Sequence, residues 1–340
     1  TASDIEEERT GVVYTNINFY QLLLRSEELK GYLRYNIIVD NLIDVLNGAN
    51  ELVGFYSNIE DAIANAQSSN KVIVKSDIKL KNTIIIDKTI SIYAGYEKLN
   101  SEERESFINI TRDTLDNVFI VENNGNVSFG GSFVDSGNAQ YVNADMNIIG
   151  NKRENADSLI KLNNGVVRFD VGTYVYDHIS QNGAVVYAVG GIINITGAEF
   201  YNNYAIQKGG VFYITDGAML NISRASMHDN GVFDGNIMTK SGGVVFAQDG
   251  CQIAISDNSS FANNGAENGG AVYINCQGIT STIEQSEFAG NRASLSGGAV
   301  LVENGKVVIS NNSIFYSNTA NNFGGAIAMY DGELFVDNSI

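Results

Sequence analysis

Apolar residues in this chain fall into short alternating runs bounded by Gly, Asn, Asp and Ser. Examples are Val72-Ile73-Val74, Ile84-Ile85-Ile86, Ile253/Ile255 and Val272 to Ile274. Runs this short are below the length of an ordinary helix and predict strands. They recur on a beat. A glycine pair followed by a small residue and an apolar run appears at Gly209-Gly210-Val211, Gly242-Gly243-Val244, Gly269-Gly270-Ala271, Gly297-Gly298-Ala299 and Gly324-Gly325-Ala326, with Asn182-Gly183-Ala184 as a weaker earlier copy. Taken at 183, 210, 243, 270, 298 and 325, the second glycines step by 27, 33, 27, 28 and 27 residues.

Two further markers keep the same period. Phe200-x-x-Asn203, Phe261-x-x-Asn264, Phe288-x-x-Asn291 and Phe315-x-x-Asn318 each end two residues before an alanine; Met227-x-x-Asn230 is a degenerate copy, and Tyr174 takes the same phase one unit upstream. Asn-Gly or Asp-Gly turns fall at Asn164, Asp216, Asp249, Asn304 and Asp331. A 27-residue unit with two or three strands cannot close a core alone, but wound as one turn of a solenoid it pairs its strands with the turns above and below. The expected fold is therefore all-β: a right-handed, single-stranded parallel β-helix spanning residues 57–340, clearest over 183–340. In it, Phe200, Phe261, Phe288 and Phe315 form a core file at the ~4.8 Å interstrand spacing. Asn203, Asn264, Asn291 and Asn318 occupy a corner, where their amides bond neighbouring turns and the left-handed backbone is tolerated. Gly210, Gly243, Gly270, Gly298 and Gly325 mark sharp positive-φ turns where a Cβ would obstruct the next turn.

The amino-terminal part reads differently. Val39, Leu42, Ile43 and Leu46 have helical spacing and end at Asn47-Gly48, so residues 1–56 are expected to be a helical capping region. Ser57-Asn58-Ile59-Glu60 spells a capping box ahead of a short helix.

These residues carry two resemblances. Gly-Gly-Ala-(Ile/Val/Leu) alternating with Phe-x-x-Asn over 183–340 resembles the repeats of chlamydial-type polymorphic outer-membrane proteins, which are secreted β-helical adhesins. The order Ile59-Glu60-Asp61-Ala62-Ile63, then Val72-Ile73-Val74, Ile84-Ile85-Ile86 and Ile90-Ser91-Ile92 resembles the opening of pectate-lyase-like β-helices, where a helix caps the first coil. The chain departs from the first pattern in its Gly-Gly-Val copies, its Met227 unit and its lack of proline.

Composition narrows the partners. The 340 residues hold 39 acidic and 21 basic side chains, net −18; 12 basic and 18 acidic lie within residues 1–113, so −12 belongs to the repeats. Such a polyanion is not expected to bind nucleic acid or an anionic membrane. No apolar run reaches the ~18 residues of a membrane span. Residues 324–340 begin a unit and stop about two residues before its phenylalanine, which predicts a longer protein, a partner on the open end, or end-to-end self-association.

Candidate chemistry is sparse. No Asp-Asp, Gly-His-Gly or Asn-Thr-Asp occurs, so no catalytic residue, metal or cofactor is expected. His178 and His228 fall near the Phe-x-x-Asn phase two units apart and read as surface or corner residues. Asp216, Asp249 and Asp331 read as turn formers rather than a cation site. Cys251 and Cys276 lie in successive units, either bridged or as two free buried thiols. Tyr187, Tyr201, Tyr204, Tyr213, Tyr273 and Tyr316 form either an exposed stripe or interior packing. Asn-x-Ser/Thr sites at Asn109, Asn126, Asn194, Asn221, Asn258 and Asn311 are what an asparagine-rich chain produces by chance. The expected function is a non-enzymatic extracellular or cell-surface adhesin or stalk that binds a protein or glycan receptor. The competing expectations are a filament subunit and a polysaccharide-cleaving, tailspike-like enzyme.

Overall fold

The computed structural model describes residues 42–97, 107–130, 141–233 and 237–340. The described chain is all-β apart from one seven-residue helix, Ile59–Asn65. Its strands form sheets of 20, 9 and 7 members, and nearly all pair in parallel with the equivalent strand of the next unit. This arrangement of long parallel sheets is consistent with a solenoid.

Register follows the sequence beat. One file of the largest sheet runs Ile84, Phe119, Ile160, Val186, Phe212, Val245, Val272, Val300 and Ile327. In the nine-stranded sheet, Val175, Phe200, Met227, Phe261, Phe288 and Phe315 are successive partners. The rings of Phe261 and Phe288 stack at 4.6 Å and 7°, and those of Phe288 and Phe315 at 4.7 Å and 4°. Strand residues alternate, so each inward file feeds one continuous core from Ile43 to Ile309. Outward neighbours keep partial exposure.

The paired glycines divide their labour. The first of each pair, Gly209, Gly242, Gly269, Gly297 and Gly324, has φ between +62° and +68°. Their partners Gly210, Gly243, Gly270 and Gly298 have no positive φ. A Cβ on each would lie well inside 3.0 Å of the carbonyl oxygen of the second glycine one unit on. Backbone meets backbone here: Gly270 N–H donates to Gly297 O at 2.9 Å, and Gly298 N–H to Gly324 O at 2.9 Å. The weak copy shifts by one. Val186 pairs with Phe212, which places Gly183, φ +53°, over Gly209, and Ala184 over Gly210. Tyr174 is likewise off by one: it pairs with Glu199, and Val175 holds the phenylalanine phase.

The amino-terminal expectation needs correction. Ile43–Leu46 is a strand rather than the end of a helix; it pairs antiparallel with both Leu52–Tyr56 and Asn70–Val74. All four of its residues are buried, so tertiary packing on two sides overrides the helical spacing. Residues 1–41 of the predicted capping region lie outside the described residues. Asn47 makes a hairpin turn instead of a helix cap, its Oδ1 accepting from the backbone N–H groups of Ala49 (2.9 Å) and Glu51 (3.0 Å). The short helix is present. Its N-cap is Asn58 rather than Ser57: Asn58 Oδ1 accepts from Asp61 N–H at 2.8 Å, and Asn58 Nδ2 donates to Asp61 Oδ2 at 2.8 Å. Ile59, Ala62 and Ile63 pack its buried face on the core.

Replacing Gly270 by alanine is expected to lower stability by about 3 kcal/mol, because the carbonyl it meets belongs to a paired backbone that cannot recede. Gly278, with φ +74° and open space around it, is expected to cost only about 1 kcal/mol as alanine. Denaturant midpoints of the two variants check the difference.

Candidate functional site

The corner after the phenylalanine file holds a buried amide ladder. Asn203 Nδ2 donates to Val175 O (2.9 Å) and Asn230 Oδ1 (3.1 Å); Asn230, Asn264 and Asn291 repeat the arrangement downward, ending on Asn318. Each acceptor oxygen also takes the backbone N–H of the residue above, as Asn291 Oδ1 does from Asn264 N at 3.0 Å. Asn203, Asn230, Asn264 and Asn291 are fully buried. Buried amides are tolerable only because their donors and acceptors are paired. The left-handed residue is not the ladder asparagine itself but the one before it: Asn202, Asp229, Asn263, Gly290 and Ser317 have φ between +54° and +63°.

His178 stands at the head of this ladder. It is a corner residue as expected, but fully buried rather than at the surface. Its backbone N–H donates to Asn203 Oδ1 at 3.2 Å and its Nε2 lies 3.3 Å from Ile148 O. Burial, reinforced by the Arg112 charge, pushes it down to about 3 against the partial support of Ile148 O. It is therefore a neutral imidazole. Nothing in the sequence marked Arg112, which is also buried and donates to the carbonyl oxygens of Thr114, Asp157, Leu115 and Asp116 at 2.6–2.9 Å. Burial lowers it to about 10.

His228 is the opposite case. Its ring stacks on Tyr201 at 5.2 Å and 3°, and Tyr201 stacks on Tyr176 at 4.6 Å and 12°. Its Nε2 lies 2.7 Å from Glu199 Oε1 and its Nδ1 2.8 Å from Asp229 Oδ2. Partial burial pulls its pKa down, but the bonds to Asp229 and Glu199 outweigh that and raise it above 6.5. When protonated, the ring donates from both nitrogens, one to each carboxylate.

The remaining candidates lie in turns, in the core and along the sheets. Asp216 and Asp249 stack one unit apart, Gly217 N–H donating to Asp249 O at 3.0 Å, and both have φ +55°. Asp249 Oδ2 accepts from Thr215 Oγ1 (2.9 Å) and Gln248 Nε2 (2.6 Å). Asp331 is exposed in the corresponding turn, where Gly332 takes φ +115°. Among the described residues, no group of three or more His, Cys, Asp or Glu is placed to hold a metal ion. Cys251 and Cys276 are both free and buried; no bridge joins them. Burial pushes their thiols up to about 11 and about 12.

The tyrosines divide. Tyr187, Tyr213, Phe246 and Tyr273 form one outward file stacked at 4.8–5.5 Å, with Lys208 Nζ 4.4 Å from the Phe246 ring centre. Tyr213 and Phe246 are nonetheless buried, and Tyr204 is buried in the seven-stranded sheet. Tyr316 is half exposed and donates to Glu287 Oε1 at 2.7 Å. Tyr201, Tyr213 and Phe246 each stack on a ring to either side, which leaves these inner rings no open face for a sugar. Phe246, Tyr176 and His228 were missed as file members; their shared phase with Tyr187 and Tyr201 is the signal that would have found them.

Among the described residues, no helix is long and apolar enough to cross a membrane. No protein-family model matches the chain, and no curated protein matches its sequence.

Asn264→Ala leaves the Asn230 amide and backbone N–H without their acceptor and Met227 O without its donor. An expected loss of about 3 kcal/mol or more follows, read by chemical denaturation. The histidines predict opposite pH slopes. His178 takes up its proton at 6.5 when unfolded but not until about 3 when folded. Acidification below 6.5 therefore removes up to about 1.4 kcal/mol per pH unit. His228 stabilises fully below 6.5, and that contribution is lost as pH rises through its higher folded value. Stability against pH should lose its acid slope in His178→Asn and its slope above 6.5 in His228→Gln.

Proposed function

We propose that the stacked sheets form one right-handed, single-stranded parallel β-helix serving as a non-enzymatic stalk or adhesin at the cell surface or outside the cell. Right-handedness is the general rule for parallel strand crossovers. One observation carries the functional reading. The polar groups that repeat with the unit are engaged in holding one unit to the next: each ladder asparagine bonds the next amide and a backbone carbonyl, and the single His228 is itself held by Glu199 and Asp229. What varies from unit to unit is the outward residue of each strand, and variation on a rigid frame is what recognition of a protein or glycan receptor uses. The similarity of the Gly-Gly-Ala and Phe-x-x-Asn markers to polymorphic outer-membrane-protein repeats supports the same role.

Fluorescently labelled protein is expected to bind cells, matrix proteins or an arrayed glycan saturably, with micromolar or tighter Kd. Binding to none of them defeats the adhesive role. New reducing ends or unsaturated products from a polysaccharide panel would replace it with an enzymatic one.

A further inference from the structure

The outward residues of the largest sheet include a face whose charge does not match the rest of the molecule. It is built by nine parallel strand segments in register, from residues 89–92 through Val166–Asp170, Ile192–Thr196, Met219–Ser223, Gln252–Ser256 and residues 306–310 to Glu333–Val336. Alternation sends every second side chain outward. Five of these are charged, Arg168, Asp170, Glu284, Lys306 and Glu333, and they sum to −1, with Lys306 Nζ 3.2 Å from Glu333 Oε2. The whole chain carries −18.

Three consecutive segments, 192–196, 219–223 and 252–256, present no charge at all. They show amide, hydroxyl and apolar groups, among them Asn194, Asn221, Ser223, Gln252 and the 37% exposed Met219. Asn221 Nδ2 donates to Asn194 Oδ1 at 2.9 Å, which fixes both amides in place. Charges gather at the rim instead: Asp257 accepts from the Ser223 and Ser256 hydroxyls at 2.8 and 3.1 Å, and Arg224 is in the same turn region.

We propose that this face is the docking surface for a second copy of the chain, side by side. Two molecules of −18 repel wherever their carboxylates meet, and this face lets them approach without bringing like charges together. Amides and hydroxyls both donate and accept, so the surface complements itself under a two-fold axis. The size is adequate. Nine strands at ~4.8 Å by five residues at ~3.3 Å cover roughly 700 Å² per copy, or about 1,400 Å² in total, within the range of stable interfaces. This association does not depend on the adhesive role and differs from end-to-end stacking.

Sedimentation velocity on the 340-residue chain tests it. A monomer–dimer equilibrium is expected. It should tighten as salt rises, because screening relieves the repulsion between the two polyanions while the neutral contact is unaffected. Asn221→Glu and Ala254→Glu should each weaken the dimer at least tenfold with unchanged melting temperature, whereas Ser226→Lys, on the nine-stranded sheet, should leave it intact. A monomer at every concentration and salt overturns the proposal, including one retained by a neutral polysaccharide or another protein through this face. So does a dimer indifferent to both glutamate variants.

Discussion

The structure depends on each unit's backbone lying directly over the next with no residue of slip. The second glycines of the pairs are the points of closest approach, where one unit's N–H reaches the carbonyl of the unit below and a methyl group would not fit. A slip of one residue would turn every inward file outward, because strand side chains alternate. Phe261 over Phe288 and Asn264 over Asn291 are consequences of that register, and they return stability to it through stacking and amide bonds. The longer unit shows how tightly the register is held. Its extra residues form a small antiparallel excursion, Val232-Phe233 against Ile237–Ser241, while Met227 still pairs with Phe261 and Asn230 still donates to Asn264.

An amide ladder inside a corner is an unusual use of buried polarity, and it works only as a series. A single buried asparagine would leave donors unpaired; a column of them supplies each amide with the oxygen of the next and the carbonyl of the previous unit. His178 ends the series because an imidazole has no carbonyl to extend it. It keeps the backbone N–H bond to Asn203 but leaves its own Nδ1 unpartnered. The same burial that makes the corner strong for a neutral amide makes it hostile to a charge.

The downstream repeats were legible because three kinds of residue with incompatible jobs kept one period: a large ring, an amide and a residue without a Cβ must each sit over its own kind. Where a marker degenerated, the frame went with it. Gly183 and Tyr174 each resembled a marker one residue from the true phase, and only pairing could show that Ala184 and Val175 held the positions. Upstream, 41 residues separate Phe119 from its register partner Ile160, which lengthens the unit and hides the beat. Ile43–Leu46 failed for another reason: its strand is buried on both faces, Asp44 included, while the spacing of Leu42, Ile43 and Leu46 fits a helix as readily. The candidate site was less legible. The stacked placement of His228 over Tyr201 depended on the register of strands 25 to 29 residues apart, whereas the burial of Arg112 left no trace in its neighbours.

The negative charge itself is partly a product of the turns. Five aspartates, Asp177, Asp216, Asp229, Asp249 and Asp257, have positive φ, a conformation that aspartate and asparagine tolerate better than most residues. Many tight corners of a unit therefore recruit an acid or its amide for backbone reasons, although Arg224, Gly290 and Ser317 take the same conformation. Charge at an edge places no demand on the strands between. The same geometry that makes the chain a polyanion lets a whole sheet face stay nearly neutral, so the sign of the molecule as a whole says little about what its faces can touch.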